Sequence, residues 1–437
     1  MDNSSIKMND YLQGRFIASL IIIMCFITSA FSQADMGNVQ ILTADGAWCW
    51  FQDPRAIYLK GKHERIFAQW MTHDGKLQVG AYDVNTGEID AFTLKDNWDA
   101  DDHNVGAFLL LKDKRIMVFY ARHNQQGIFC RTTSQPEDIT SWENEITISD
   151  SPRITYAHPV YLSKEKKYYV FWRGPSWKPT FATSKDGKSW SEPEILLQDF
   201  ARESSSIRPY TKITSDGKST IHIAFTDGHP KVEPQNSVYY LKYEKGQFFK
   251  ANGSRVADMS SLPIQPIKSD IVYDGKTNDV RAWVWDIALD KKGCPVIAYT
   301  QLPEETDHRY HYARWTGKNW QDAELVAAGR WFPQTPEGTE EREVHYSGGI
   351  VLDHTDPSIL YLARQVNGIF EIERLETQDK GKNWNSMPIT RNSAHLNVRP
   401  VIPLWHRKGD EFVLWMFGEY EHYTSYQTGI KLLHLEE

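Results

Sequence analysis

The feature that most constrains this chain is a recurrence. After a lead strand over residues 39–43, a short apolar strand and a stronger one return together about every 50 to 60 residues, which marks a repeat architecture. Seven such units can be counted. Each first strand follows a polar or proline-bearing corner: Asp53-Pro54-Arg55, His103-Asn104, His158-Pro159, Arg208-Pro209, Trp285-Asp286, Ser347-Gly348 and Arg399-Pro400. The stronger strands cover residues 65–70, 115–120, 167–172, 220–225, 295–299, 359–362 and 411–415. A third strand usually follows and ends in a turn and a tryptophan, most clearly at residues 184–190 (SKDGKSW) and 377–384 (TQDKGKNW). These resemble Asp-box turns, in which Asp and Gly close the turn and Trp packs between neighbouring sheets.

Four-stranded units repeated seven times, with no helical periodicity beyond residue 32, predict an all-β fold: a single seven-bladed β-propeller over residues 33–437. The lead strand would close the ring beside residues 429–435. Residues 246–280 read as an irregular insertion between the fourth and fifth units. Ahead of the propeller, Lys7 and Arg15 precede an apolar run at residues 16–27, and Ala30-Phe31-Ser32 offers small residues at a cleavage spacing. Residues 1–32 are therefore expected to be a secretion signal peptide, and the protein to be exported, periplasmic or extracellular. No later segment approaches the roughly 20 apolar residues of a membrane span. Cys49, Cys130 and Cys294 then remain, too few and too widely spaced for a disulfide framework or a zinc pattern, and they read as core thiols.

Composition narrows the ligand. The 13% aromatic content, with 16 Trp and 21 Tyr, favours β-structure and flat apolar surfaces such as those that receive sugars. A formal charge of -8 supplies no basic field for nucleic acid, so a polyanion would have to be met by local Arg or Lys. We expect a monomer without a stable membrane span.

Residues 101–125 read as a hairpin that leaves one face at His103 and returns to it at His123, setting the two imidazoles side by side. In a propeller, residues just before the first strand of a blade and just after the second share one face. Applied to every unit, this gathers Gln52, Asp53 and His73; His103 and His123; Tyr156, His158 and Arg173; Arg208, Tyr210 and His229; and then His345, Arg364, Arg399 and Tyr420. The second to fourth units are the richest, with His103, His123, Tyr156, Arg173, Tyr210 and His229. Channel-lining polar groups can merely satisfy one another and buried water. Two Arg converging with several His and Tyr instead suit β-elimination from a uronic acid, in which Arg neutralises the carboxylate, His or Tyr removes the proton on C5, and the leaving oxygen on C4 is protonated. Trp177 and Trp331, near blade corners, are either packing residues or stacking platforms.

At these residues the chain resembles a known family. Asp102-His103-Asn104, Ala121-Arg122-His123-Asn124, Thr155-Tyr156-Ala157-His158-Pro159, Phe171-Trp172-Arg173-Gly174, Arg208-Pro209-Tyr210 and Phe225-Thr226-Asp227-Gly228-His229-Pro230 are similar to stretches of the seven-bladed, BNR-repeat polysaccharide lyases, the ulvan lyases and L-rhamnose-α-1,4-D-glucuronate lyases. The resemblance implies cleavage of the bond between α-L-rhamnose and O4 of glucuronate in a uronate-containing poly- or oligosaccharide. It implies catalytic roles for His103, His123, Tyr156 and Arg173, and substrate binding by Arg208, Tyr210 and His229. It asks for no cofactor in the chemistry and leaves room for a structural divalent metal, calcium or zinc, of which the sequence shows no ligand pattern. Gly106 departs from the resemblance, standing where Pro is expected.

Other classes stay open. Some propellers of this group resemble α-L-rhamnosidases with a lone catalytic His near a Trp-Phe-x-Asp-Pro-Arg stretch, but here Gln52 fills the variable position and cannot act as a base. A sialidase would need three arginines, for which Arg55, Arg208 and Arg399 can be nominated, and would favour six blades. A non-catalytic carbohydrate-binding propeller explains the aromatic surface but not the clustered His, Tyr and Arg.

Overall fold

A computed structural model describes residues 39–200, 209–332 and 343–436. The expected signal at residues 1–32 and the nominated Arg208 lie outside them. The described residues form seven antiparallel sheets, six of four strands and one of six, arranged as a β-propeller. The innermost strands are Ala56–Lys60, Ala107–Leu110, Thr155–Leu162, Thr211–Ser215, Arg281–Leu289, Ile350–Leu352 and Leu396–Val401. Each is paired with the second strand of its own blade.

Burial follows position in the blade. The second strand Ile116–Ala121 (IMVFYA) is buried throughout because neighbouring blades cover both its faces, so it reads as a continuous apolar run. The outer strand Ile89–Lys95 is largely exposed and carries charge. The seventh sheet pairs Val39–Thr43 with the last strand Ser425–Glu436, Val39 opposite Leu433. The two ends of the described chain thus share one sheet, and ring closure leaves no open blade edge there.

The two tryptophan-bearing turns close as expected. The Asp186 carboxylate accepts from the backbone of Lys188 and Ser189, that of Asp379 from Lys382 and Asn383. Trp190 packs edge-on against Phe119 of the preceding blade, and Trp384 against Tyr312. Residues 246–280 are less irregular than expected. Gln247–Phe249 and Arg255–Asp258 extend the fourth sheet, Asp270–Tyr273 pairs with its third strand Val238–Glu244, and Gly275–Asn278 forms one helical turn. Sequence periodicity missed them because strands of three or four residues are too short to show one. Among the described residues no helix is long and apolar enough to cross a membrane.

Two local devices prepare the channel. Residues 47–53 leave the lead strand and plug it: Trp50 stacks on Trp285 at 4.2 Å and meets Trp283 and Tyr346 edge-on, while Phe51 packs against Tyr156 and Tyr210. Register shifts then interrupt three innermost strands at Thr155/His158, Val284/Asp286 and Val398/Val401. A bulge re-aims a side chain, and these three re-aim Tyr156, Trp285 and Arg399. Tyr156 and Arg399 have left-handed backbone, with φ of 63° and 51°, uncommon for residues other than glycine.

Because Trp50 is enclosed by four aromatic rings, Trp50→Ala should leave a cavity in the plug and cost about 3–5 kcal/mol of stability. Chemical denaturation measures this, and a loss below about 0.5 kcal/mol, the range of surface substitutions, would show that the plug is not part of the core.

Candidate functional site

The turn before the second blade builds the centre of the site. Asp102–Asn104 forms one 3₁₀ turn capped by Asp101, whose carboxylate accepts from the His103 backbone N–H at 2.9 Å. The first strand of the hairpin therefore starts only at Ala107. The Asn104 side chain ties the hairpin together, donating to the carbonyls of Trp98 and Asp99 and accepting from the backbone N–H of His123. His103 and His123 consequently stand face to face, ring centres 4.2 Å apart and planes 7° from parallel.

One carboxylate serves both rings. Asp101 lies 2.9 Å from Nδ1 of His103 through one oxygen and 2.8 Å from Nδ1 of His123 through the other. Asp102, fully buried, also comes within 2.8 Å of His103 Nδ1 as an ion-pair contact, the aligned hydrogen bond going to Asp101. Beneath it, Asp102 is paired with Arg399 and accepts from the Tyr420 hydroxyl at 2.6 Å.

These neighbours split the two imidazoles. Burial opposes charge on His103, but the Tyr156 and Cys49 side chains and the carboxylates of Asp101 and Asp102 outweigh it and hold its pKa well above that of an ordinary imidazole. Burial and the charge of His103 together push His123 down to about 4, against the pull of Asp101. At neutral pH His103 is charged and His123 neutral. With its Nδ1 hydrogen given to Asp101, neutral His123 carries its lone pair on Nε2.

The third and fourth blades supply the cation. Arg173, at the end of Lys167–Arg173, is 4% exposed and sits against the Tyr156 and Tyr210 rings, 4.7 and 5.0 Å from their centres. It donates to the Tyr210 hydroxyl at 2.6 Å and to Thr155 Oγ1 at 3.2 Å, and its Nε is buried without a hydrogen-bond partner. Among the described residues, none of its contacts is a carboxylate. His103, His123, Tyr156, Arg173, Tyr210 and His229 line one cavity of about 330 Å³, closed on the other side by Tyr346, Tyr423 and Glu343. Tyr423 meets both histidine rings edge-on. Glu343 lies 3.1 Å from His345 Nδ1 and 3.9 Å from His229 Nε2.

All six residues expected from the second to fourth units thus meet in one cavity. Others from the wider face do not. His73 is exposed and paired with Asp45, Arg364 is paired with Glu373, and Arg399 and Tyr420 are buried under Asp102. Gln52 donates to the His103 carbonyl at 2.5 Å, a supporting contact. Asp53 and Arg55 line a different cavity at the opposite mouth of the channel, so Arg55 and Arg399 do not converge as sialidase arginines would. Trp177 donates to Asn124 beside the histidine pair, and Arg330 covers the ring of Trp331. Gly106 has a local reason: its N–H donates to Gln69, and a Cβ there would lie 2.5 Å from the Phe119 carbonyl. Proline would lose that bond.

Sequence reasoning missed Asp101, Asp102, Glu343 and Tyr423. The adjacent acids just before His103 were the available signal for the first two. Asp101, His103 and His123, or Cys49, Asp102 and His103, bring three possible metal ligands within 4.8 Å of one another. Nitrogen and sulfur donors of this kind suit zinc, and neither set offers the oxygen shell calcium takes.

The fold and this site define a seven-bladed propeller with a histidine, tyrosine and arginine cavity at one mouth. The chain belongs to the BNR repeat-containing family, whose model matches residues 65–328. Its fold is similar to that of a PL25 ulvan lyase solved bound to -[GlcA(1-4)Rha3S]-, with 14% identity over 90% of this chain and 95% of that one and a TM-score of 0.67. It is also similar to the polysaccharide lyase Uly1, at 10% identity over 91% and 98% of the two chains and a TM-score of 0.54, and to the BP39L lectin of Burkholderia pseudomallei, at 9% identity over 85% and 94% and a TM-score of 0.52. No curated protein matches the chain.

The split between the two imidazoles is directly measurable. Histidine titration by NMR should show His123 protonating only near pH 4 and His103 staying charged well above its ordinary 6.5. Asp101→Asn should lower the pKa of His103. Two independent titrations near 6.5 in the parent protein would mean that the carboxylate does not couple the rings.

Proposed function

We propose that this protein is a polysaccharide lyase that cleaves α-L-rhamnosyl-(1→4)-glucuronate linkages by β-elimination. The observation that carries the reading is Arg173, a buried guanidinium facing the cavity with no carboxylate among its contacts with the described residues. A buried charge without a counterion is costly, and an anionic group on a ligand would relieve it. A uronate carboxylate fits the planar two-pronged geometry of Arg.

With that carboxylate neutralised, the proton on C5 becomes acidic enough to remove. His123, held neutral, is the group able to accept it through Nε2. As the C5–H bond breaks, its electron pair forms the C4–C5 double bond, and the C4–O4 bond breaks in turn. The departing oxygen takes a proton from charged His103 or from the Tyr156 hydroxyl, both of which line the cavity. In glucuronate O4 and H5 lie on the same side of the ring, so donor and acceptor can be neighbours, as the stacked histidines are. Tyr210 and His229 extend the same wall and would contact the sugar. The similarity in fold to ulvan lyases agrees with this reading.

Elimination and hydrolysis leave different products from the same linkage. Rhamnose-capped glucuronate glycans or a rhamnose-glucuronate backbone should give an unsaturated uronate, seen as a rise in ultraviolet absorbance. His123→Ala should slow this by about 10²-fold or more. Arg173→Lys keeps the charge but loses the fork and should be nearly inactive. Activity should also fall as pH drops through about 4, where His123 takes up a proton. Saturated glucuronate with free rhamnose would make the protein a hydrolase instead, and near-parental activity in Arg173→Lys would remove the carboxylate assignment.

A further inference from the structure

The other mouth of the channel holds a second cavity, of about 540 Å³, larger than the first and sharing no lining residue with it. The aromatic plug separates them: Trp50 and Phe51 fill the channel between, and Lys212 crosses below, donating to the Trp50 carbonyl and paired with Asp53. All seven blades contribute wall. Aliphatic side chains such as Leu110, Val160, Ile213 and Val401 make most of it, with polar groups including Asp53, Thr214, Asp216, Asp286 and His354 among them.

Most of those charged groups are paired with one another. Asp53 is paired with both Lys212 and Arg55, and Asp286 with His354 at 3.1 Å. Asp216, on the same wall, is held by the backbone N–H groups of Lys218, Ser219 and Thr220. Among the described residues Arg55 on this wall and Lys212 beneath it are both already paired, so an anionic ligand finds no free cation here, in contrast to Arg173 at the opposite mouth. Hydroxyl groups would find partners: carboxylate oxygens of Asp53 accept and imidazole or hydroxyl groups of His354 and Thr214 exchange hydrogen bonds without net charge.

At the rim stands Trp405. It is 47% exposed, the only tryptophan among the large exposed apolar side chains of the described residues, and its ring makes no aromatic contact. Its backbone is left-handed, with φ of 69°, an uncommon and strained conformation for a bulky residue. The strain is held in place: Leu404 beside it bonds in both directions to the innermost strand of the first blade, through Tyr58 N–H to Leu404 carbonyl at 2.8 Å and Leu404 N–H to Ala56 carbonyl at 3.1 Å. An exposed indole thus lines a largely aliphatic cavity that also holds hydrogen-bonding side chains.

We propose that this mouth is a second, non-catalytic binding site for a neutral pyranoside, whose apolar face stacks on Trp405 and whose hydroxyls reach Asp53, Thr214 and His354. An apolar enclosure with a few convergent polar groups is the usual form of a small-ligand site, and the volume falls within the roughly 300–1,000 Å³ such sites occupy. The proposal does not rest on the elimination chemistry: failure of the lyase assay leaves it intact.

Isothermal titration of the whole protein with a panel of neutral methyl pyranosides, with glucuronic acid as the charged control, tests it. A neutral pyranoside should bind the parent and Arg173→Ala with the same affinity. Trp405→Ala, at an exposed position that leaves the lyase site untouched, should weaken it about tenfold or more, and Trp405→Phe should restore most of it. Binding lost in Arg173→Ala but kept in Trp405→Ala would place the sugar at the first cavity and overturn the proposal. So would saturable binding by none of the panel, or a dimer in sedimentation that Trp405→Ala dissociates, which would assign this surface to a second copy of the chain.

Discussion

The site depends on a plug in the channel. A propeller leaves a hole along its axis, and here residues 47–53 fill it with Trp48, Trp50, Phe51 and Gln52, all buried. Each plug residue then carries something above it. Phe51 lies under Tyr156 and Tyr210, the rings that flank Arg173; Gln52 holds the carbonyl of His103; and the Trp48 carbonyl accepts from Arg399, which anchors Asp102. Packing of large apolar rings thus fixes polar groups that would otherwise adjust to one another. It also divides one channel into two cavities of different character.

Above the plug, charge is arranged in layers. The deepest is the ion pair of Asp102 with Arg399, both fully buried and further tied by Tyr420. Such a pair is weak evidence for stability, since desolvation offsets much of the attraction. Its consequence is electrostatic: it places a carboxylate that cannot move beneath His103. Asp101 comes next, shared by two rings that stack too closely to carry two charges at once. One imidazole is therefore charged and its neighbour neutral. Arg173, at the same wall, has no carboxylate among its contacts with the described residues. A site already satisfied by its own groups would have no reason to keep that guanidinium buried.

The blade count, the closing strand and the pairing of His103 with His123 were legible in the sequence because each rests on local order. Apolar runs of strand length and a short polar turn bring residues 20 apart to one face without help from the rest of the chain. The same rule placed Tyr156, Arg173, Tyr210 and His229 correctly, since each follows from its position relative to its own blade. It failed where a residue's surroundings come from another blade. Arg399 and Asp102 are 297 positions apart, and only ring closure makes them partners. Trp48 and Arg399 are 351 apart.

The sequence by itself therefore determined the propeller and which side chains could share a face, because strand period and turn chemistry act over a few residues. The tertiary structure alone decided what those side chains become. It sank Arg399 beneath the site and turned Arg55 to the opposite mouth. It gave Asp101 two imidazoles and drove a wedge of aromatic rings between two cavities. Apart from Asp101, whose two imidazoles lie in its own hairpin, these outcomes depend on bulges that re-aim single residues and on blades that meet only after the ring has closed, so no short window of sequence contains both partners.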